Sequence, residues 1–236
     1  MNPSLFEAID NYCERTGPEL WSEPINALTN LAFFAAGVWG LVLVRRNRTG
    51  GFAETLAWWV ILIGIGSALF HTFANRLTVW MDVLPIALFV FAYTLFNLRR
   101  FFRFGWPKAA AIFVAFYVVA SFATWLVPES LRAASNNSTG YLPALLGLLF
   151  FGIWLLKRRH PAGKYDLAAA AIFIVSVSFR AIDFHVCDAL PIGTHFMWHT
   201  LNGLLLGVLL TAAARFGHPY ARSAPAEARL GIRQGA

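Results

Sequence analysis

Charge is what this chain has least of. Asp, Glu, Lys and Arg make up 13% of its 236 residues, about half the share in an ordinary soluble domain. Hydrophobic residues reach 58%, and 22 Phe and 9 Trp must face something apolar. This balance excludes a soluble globular protein and gives a multi-pass membrane protein, one large domain by length. The first 25 residues lack the basic stretch and following apolar run of a cleavable signal peptide, so the first membrane helix is expected to serve as its own insertion signal. Neither a soluble second domain nor a short-period repeat is visible.

What the chain has instead is apolar runs. Seven approach the length needed to cross a bilayer, at 26–44, 52–70, 79–96, 109–127, 141–156, 167–182 and 194–214, the fifth and sixth being short. The expected fold is an all-α, seven-transmembrane helix bundle. The net charge of +7 could suggest nucleic acid, but the basic residues are distributed as topology determinants. Alternate loops collect Arg45, Arg46 and Arg48; Arg99, Arg100, Arg103 and Lys108; Lys157, Arg158, Arg159 and Lys164; and Arg215, Arg222, Arg229 and Arg233. The opposite side keeps only Arg15, Arg76, Arg132 and Arg180. By the positive-inside rule the N-terminus lies outside and the C-terminus in the cytoplasm. The chain then divides into an extracytoplasmic acidic segment (1–25), a seven-transmembrane domain (26–215) and a cytoplasmic polar tail (216–236), disordered or lipid-associated.

The outer side also collects the chemistry. Segment 1–25 carries Glu7, Asp10, Glu14, Glu19 and Glu23 against Arg15 alone, a set that suits either a hard cation such as calcium or a solvated, orienting segment. Glu23 stands three residues before the first apolar run, where a carboxylate wants a partner. Ser67 and His71 are four apart at the outer end of the second helix, and so share a face. Asp82 enters the third helix at similar depth, and an intramembrane aspartate is a functional site by default. Helices four and five read as scaffold, and loop 128–140, rich in Ser and Asn, reads as an access gate. Arg180 and Asp183, three apart, read as an internal ion pair.

His195 and His199 open the last helix four residues apart. By themselves they are either metal ligands or satisfied polar residues near the surface. His71 lies on the same side, and three histidines at one depth can make a catalytic zinc site with an open fourth position. His160 and His218 fall on the other side, and His185 sits in a loop. Zinc lowers the pKa of water toward about 7 and polarises a carbonyl. Asp82 would shuttle a proton and Ser67 would donate to an oxyanion, or Asp82 would only hold a histidine's tautomer. A haem needs axial histidines from opposite faces, whereas His195 and His199 share one. A transporter would need buried ionisable groups in the cytoplasmic half. The remaining alternative is a seven-helix zinc-containing receptor without turnover. The only two thiols, Cys13 and Cys187, both fall on the oxidising side and are expected to pair.

Several strings together resemble the alkaline ceramidase family. They are Tyr12-Cys13-Glu14, Glu23-Pro24-Ile25-Asn26-Ala27-Leu28-Thr29-Asn30, Gly66-Ser67-Ala68-Leu69-Phe70-His71 and Met81-Asp82-Val83-Leu84-Pro85, with Asp183, Cys187, His195 and His199. The wider superfamily includes the adiponectin and progestin receptors, seven-helix bundles around an intramembrane zinc. The resemblance, to a short bacterial-type member, implies zinc on His71, His195 and His199 with Asp82 and Ser67 catalytic. It also implies hydrolysis of the amide of ceramide, a membrane lipid, to fatty acid and sphingoid base; another N-acyl lipid is the alternative substrate. A calcium site would fall on Glu14, Glu23, Asp10 and Tyr12. There the chain departs from the family's Asp-Trp-Cys-Glu run, having Asn11-Tyr12-Cys13-Glu14, and has Thr16 in place of the following Asn.

Overall fold

The computed structural model describes residues 4–219, so the tail expected at 216–236 lies outside the described residues beyond residue 219. The α-helices are α1 (Pro24–Thr29), α2 (Leu31–Asn47), α3 (Gly51–Phe73), α4 (Arg76–Phe96), α5 (Trp106–Trp125), α6 (Glu129–Ala134), α7 (Leu142–Lys157), α8 (Ala162–Ile182) and α9 (His195–Phe216). A π-helical turn, Asn97–Phe101, continues α4, and 3-10 turns at Ser138–Tyr141 and Asp183–His185 flank α7 and α8. Seven segments are long and apolar enough to cross a membrane, and this is a multi-pass integral membrane protein. The sixth span, expected to be short, runs Ala162–His185, because Tyr165 and Asp166 are tolerated inside the helix.

Local chemistry explains the breaks. Pro24 starts α1, where a missing N–H costs nothing. Asn30 separates α1 from α2, and its side-chain amide donates to the carbonyls of Asn26 (2.9 Å) and Ala27 (3.4 Å), competing with the backbone ladder. Asn75 and Thr78 form a reciprocal capping box at the start of α4. Pro85 inside α4 cannot donate to the carbonyl of Met81, so α4 is loosened beside Asp82. Trp59 steadies that region by donating to the carbonyl of Pro85 at 2.9 Å.

α9 is the most enclosed span and packs on α2 and α8, while α3 joins α4 and α2. Peripheral α5 exposes Val114, Val118, Val119, Phe122 and Trp125, as a lipid-facing helix does. The N-terminal segment lies across the α3–α4 turn, with Ile9 N–H on Ala74 O at 2.8 Å and Leu77 N–H on Leu5 O at 3.0 Å. The histidines lie at that end of the bundle. Basic side chains end α2, α7 and α9 at the opposite end, where they also complement the helix dipoles.

Candidate metal centre and active site

Three buried imidazoles meet at the N-terminal end of the bundle. His71, His195 and His199 each offer a ligand atom, all within 4.8 Å of one another, a group that could hold a metal ion. Ring centroids stand 4.6 Å apart for His71–His199 and for His195–His199, and 5.2 Å apart for His71–His195. The i, i+4 spacing puts His195 and His199 on one face of α9, and His71 arrives from the last turn of α3.

The surrounding hydrogen bonds fix two tautomers. His71 Nδ1–H donates to Glu23 Oε2 at 2.5 Å. The Thr29 hydroxyl spends its hydrogen on the carbonyls of Ile25 (2.9 Å) and Asn26 (3.0 Å), so it accepts from His199 Nδ1–H at 3.0 Å. Both rings therefore keep Nε2 as an unprotonated donor atom, the condition a metal ligand needs. His71 Nε2 and His195 Nδ1 are buried with no hydrogen-bond partner among the described residues. A cation is the natural occupant of such a set: three nitrogens suit zinc, and two of these would otherwise be costly orphans.

Glu23 is itself held by Arg15, whose Nε donates to Oε1 at 2.6 Å, and by Asn26 Nδ2 at 3.2 Å. Burial alone would raise the Glu23 carboxyl, but His71 and Arg15 outweigh it and hold the group below the usual carboxylate range. Arg15 also donates to the carbonyls of Gly17 (3.0 Å), Glu19 (3.4 Å) and His71 (3.5 Å). This arrangement revises the expected calcium set. The oxygens gathered in the N-terminal segment already surround a protein cation, the Arg15 guanidinium. Glu14 spends both oxygens on the backbone N–H groups of Ile25 (2.6 Å) and Asn26 (2.8 Å), at the start of α1. Burial raises the Glu14 carboxyl against these bonds. Asp10 is exposed, and the Tyr12 ring stacks on His195 at 3.5 Å. Calcium thus has no support in the disposition of Glu14, Glu23, Asp10 and Tyr12.

Asp82 and Ser67 face each other across α3 and α4. Ser67 lies beside the Asp82 carboxylate, which also lies in the field of His71. Gly66 makes this approach possible, since a Cβ there would collide with the carbonyl of Met81. Asp82 Oδ1 is buried without a partner.

The expected Arg180–Asp183 ion pair is not formed. Asp183 instead caps α9 from outside: Oδ1 accepts from the N–H groups of Thr194 (2.6 Å) and His195 (2.9 Å), and Oδ2 from Cys13 N–H (2.9 Å). The orphan N–H groups of a helix start attract a carboxylate more strongly than a neighbouring side chain does. The Cys13–Cys187 disulfide is present and ties the N-terminal segment to the same loop. Arg180 turns away, donating to Asn136 O (2.6 Å) and Ser138 Oγ (2.7 Å), with its guanidinium 5.3 Å from the Tyr141 ring and 5.9 Å from Trp198. Segment 128–140, read as a gate, is thus partly helical and tied to Arg180, and to Asn11 O through Asn136. His185 donates towards, or accepts near, no histidine of the cluster; its Nε2 lies 2.8 Å from Ala134 O.

Behind Phe33 opens an apolar cavity, walled by Phe33, Trp198, Phe151, Phe173 and Leu209 among others. Phe33 packs edge-on against His199 at 6.1 Å, joining cavity wall and metal centre. Tyr117 and Tyr141, from the helices expected to be plain scaffold, also line it. The sequence did not reveal Arg15, Thr29 and Asp183 as supports of the centre, because no helical spacing links them to their partners; Glu23 at the edge of an apolar run was the one local signal.

No curated protein matches the chain. The family model for ceramidase matches residues 7–229, which takes in the N-terminal segment, both histidine-bearing helices and Asp82. The chain therefore belongs to the ceramidase family, whose activity is hydrolysis of an amide.

Proposed function

We propose that this protein is a zinc-dependent intramembrane amidase that cleaves ceramide to a fatty acid and a sphingoid base. One observation carries the reading: three buried, metal-competent histidines stand with Asp82 and Ser67 nearby, and Phe33, packed on His199, joins them to an apolar cavity. Zinc held by His71, His195 and His199 would supply water activation and carbonyl polarisation. Asp82 accepts the proton that water loses as it attacks the amide carbon, and returns it to nitrogen as the C–N bond breaks. The hydroxyl of Ser67 orients Asp82 at rest and turns its hydrogen to the oxyanion as charge develops there. Glu23 and Thr29 keep the imidazoles in the required tautomers. The cavity takes an acyl chain away from water, and the histidine end faces the extracytoplasmic side by the loop charges. A proton shuttle beside the metal ligands favours turnover over a purely sensory role.

The test is product analysis on purified protein. Wild type should release fatty acid from ceramide in preference to other N-acyl lipids, and His199→Ala should lose both zinc and release. Zinc binding with no release from any N-acyl lipid would overturn the assignment.

A further inference from the structure

The cavity does not end as it begins. Its far end, fifteen residues along α4 from Asp82 and so about 22 Å away at 1.5 Å per residue, is polar. Asn97 lines it there, at the first residue of the π-helical turn, and is 2% exposed. Its Nδ2 donates to Asp166 Oδ2 at 3.0 Å. Asn97 Oδ1, the other end of the amide, is buried without a partner among the described residues.

The hydroxyls around it have no hydrogen left to give. Tyr93 donates to Asp166 Oδ1 at 2.9 Å. Thr94 donates to Val90 O at 2.9 Å, so in the Thr94–Tyr117 pair, also 2.9 Å, Tyr117 is the donor. Apart from the second Nδ2 hydrogen of Asn97, the patch offers acceptors, and a ligand must bring a hydrogen to pair Oδ1. Asp166 is fully buried, accepts from Tyr93 and Asn97, and so holds Asn97 in place.

We infer that the inner end of the cavity is a subsite for a hydroxyl group near the far end of a long acyl chain, with Asn97 Oδ1 as its acceptor. The inference rests on the cavity being the acyl-chain site proposed above. A hydroxyl there satisfies a buried carbonyl that a plain chain leaves unpaired, a difference of about tenfold in affinity. A chain ending in an ether lacks the hydrogen and leaves Asn97 Oδ1 unpaired.

The experiment is displacement of radiolabelled octadecanoic acid from the purified, zinc-loaded protein. The competitors are the terminally hydroxylated acid, the α-hydroxylated acid of equal polarity and the terminal methyl ether. The terminal hydroxy acid should compete about tenfold better than the other two, and Asn97→Leu should abolish the difference. Equal competition by all three in wild type would overturn the subsite while leaving the acyl cavity standing. Retention of the preference in Asn97→Leu would also overturn it. Failure of octadecanoic acid to bind at all would remove both. The wild-type comparison decides the matter even where Asn97→Leu does not fold.

Discussion

Glu23 reaches the metal centre through a single imidazole. Its carboxylate holds His71 Nδ1–H and is itself held by Arg15. Glu23→Gln keeps an acceptor but leaves Arg15 buried without its counter-charge. Metal affinity should fall ten- to a hundredfold, read by competition with a chromophoric chelator, and the thermal midpoint should drop because an unpaired buried charge costs about 3–5 kcal/mol. Unchanged affinity would mean that His71 needs no such support. Asp82 differs in kind, because it touches no histidine through a hydrogen bond on which the ligand set depends. Asp82→Asn should keep its zinc while fatty-acid release falls about 10²–10⁴-fold. Joint loss of zinc and activity would make Asp82 a holder of a histidine tautomer instead. These roles were unevenly legible. His71 and Asp82 stood out by depth, since ionisable groups are rare in an apolar run, and Ser67 by its four-residue spacing from His71. Arg15 and Thr29 looked ordinary, because their meaning comes from partners 8 and 170 positions away.

The helices were legible for the reason that a bilayer imposes length and apolarity on every span. Their irregularities were not. Asn30 breaks the first span with its own side chain, and the π-helical turn at Asn97 has no hydropathy signature. Two close approaches follow from missing side chains. At Gly66 a methyl group would meet the Met81 carbonyl, so Gly66→Ala should push α3 from α4 and separate Ser67 from Asp82. The expected cost is about 1–3 kcal/mol in stability together with a loss of turnover larger than the loss of zinc, read by thermal melting and metal analysis on one preparation. At Gly193 the backbone sits at φ +63°, in the region that favours glycine, with Asp183 and Cys13 against the place of a Cβ. That turn delivers Thr194 and His195 N–H to Asp183. The Arg180–Asp183 expectation failed here because helix spacing says which residues share a face, not which of them a distant helix start will claim.

The molecule has one end for chemistry and one for orientation. Histidines, disulfide and N-terminal segment gather at one end, and arginines at the helix ends of the other. The Cys13–Cys187 bond joins positions 174 apart. Its chain-entropy effect is limited here, since the spans between them stay inserted when the bundle loosens; its main effect is local. Replacing both cysteines by serine should leave a folded seven-helix protein whose zinc affinity is about tenfold weaker, because Tyr12 and Arg15 are less firmly held against His195 and Glu23. Unaltered affinity would confine the bond to general stability.

The central claim joins metal and turnover in one site, and the most direct measurement of it is fatty-acid release from ceramide by chelator-stripped protein as zinc is returned. Release should be absent from the stripped protein and should rise in proportion to zinc until each chain holds one ion, with no rise in His199→Ala. Release that survives stripping, or that fails to return while zinc fills the site, would contradict the account.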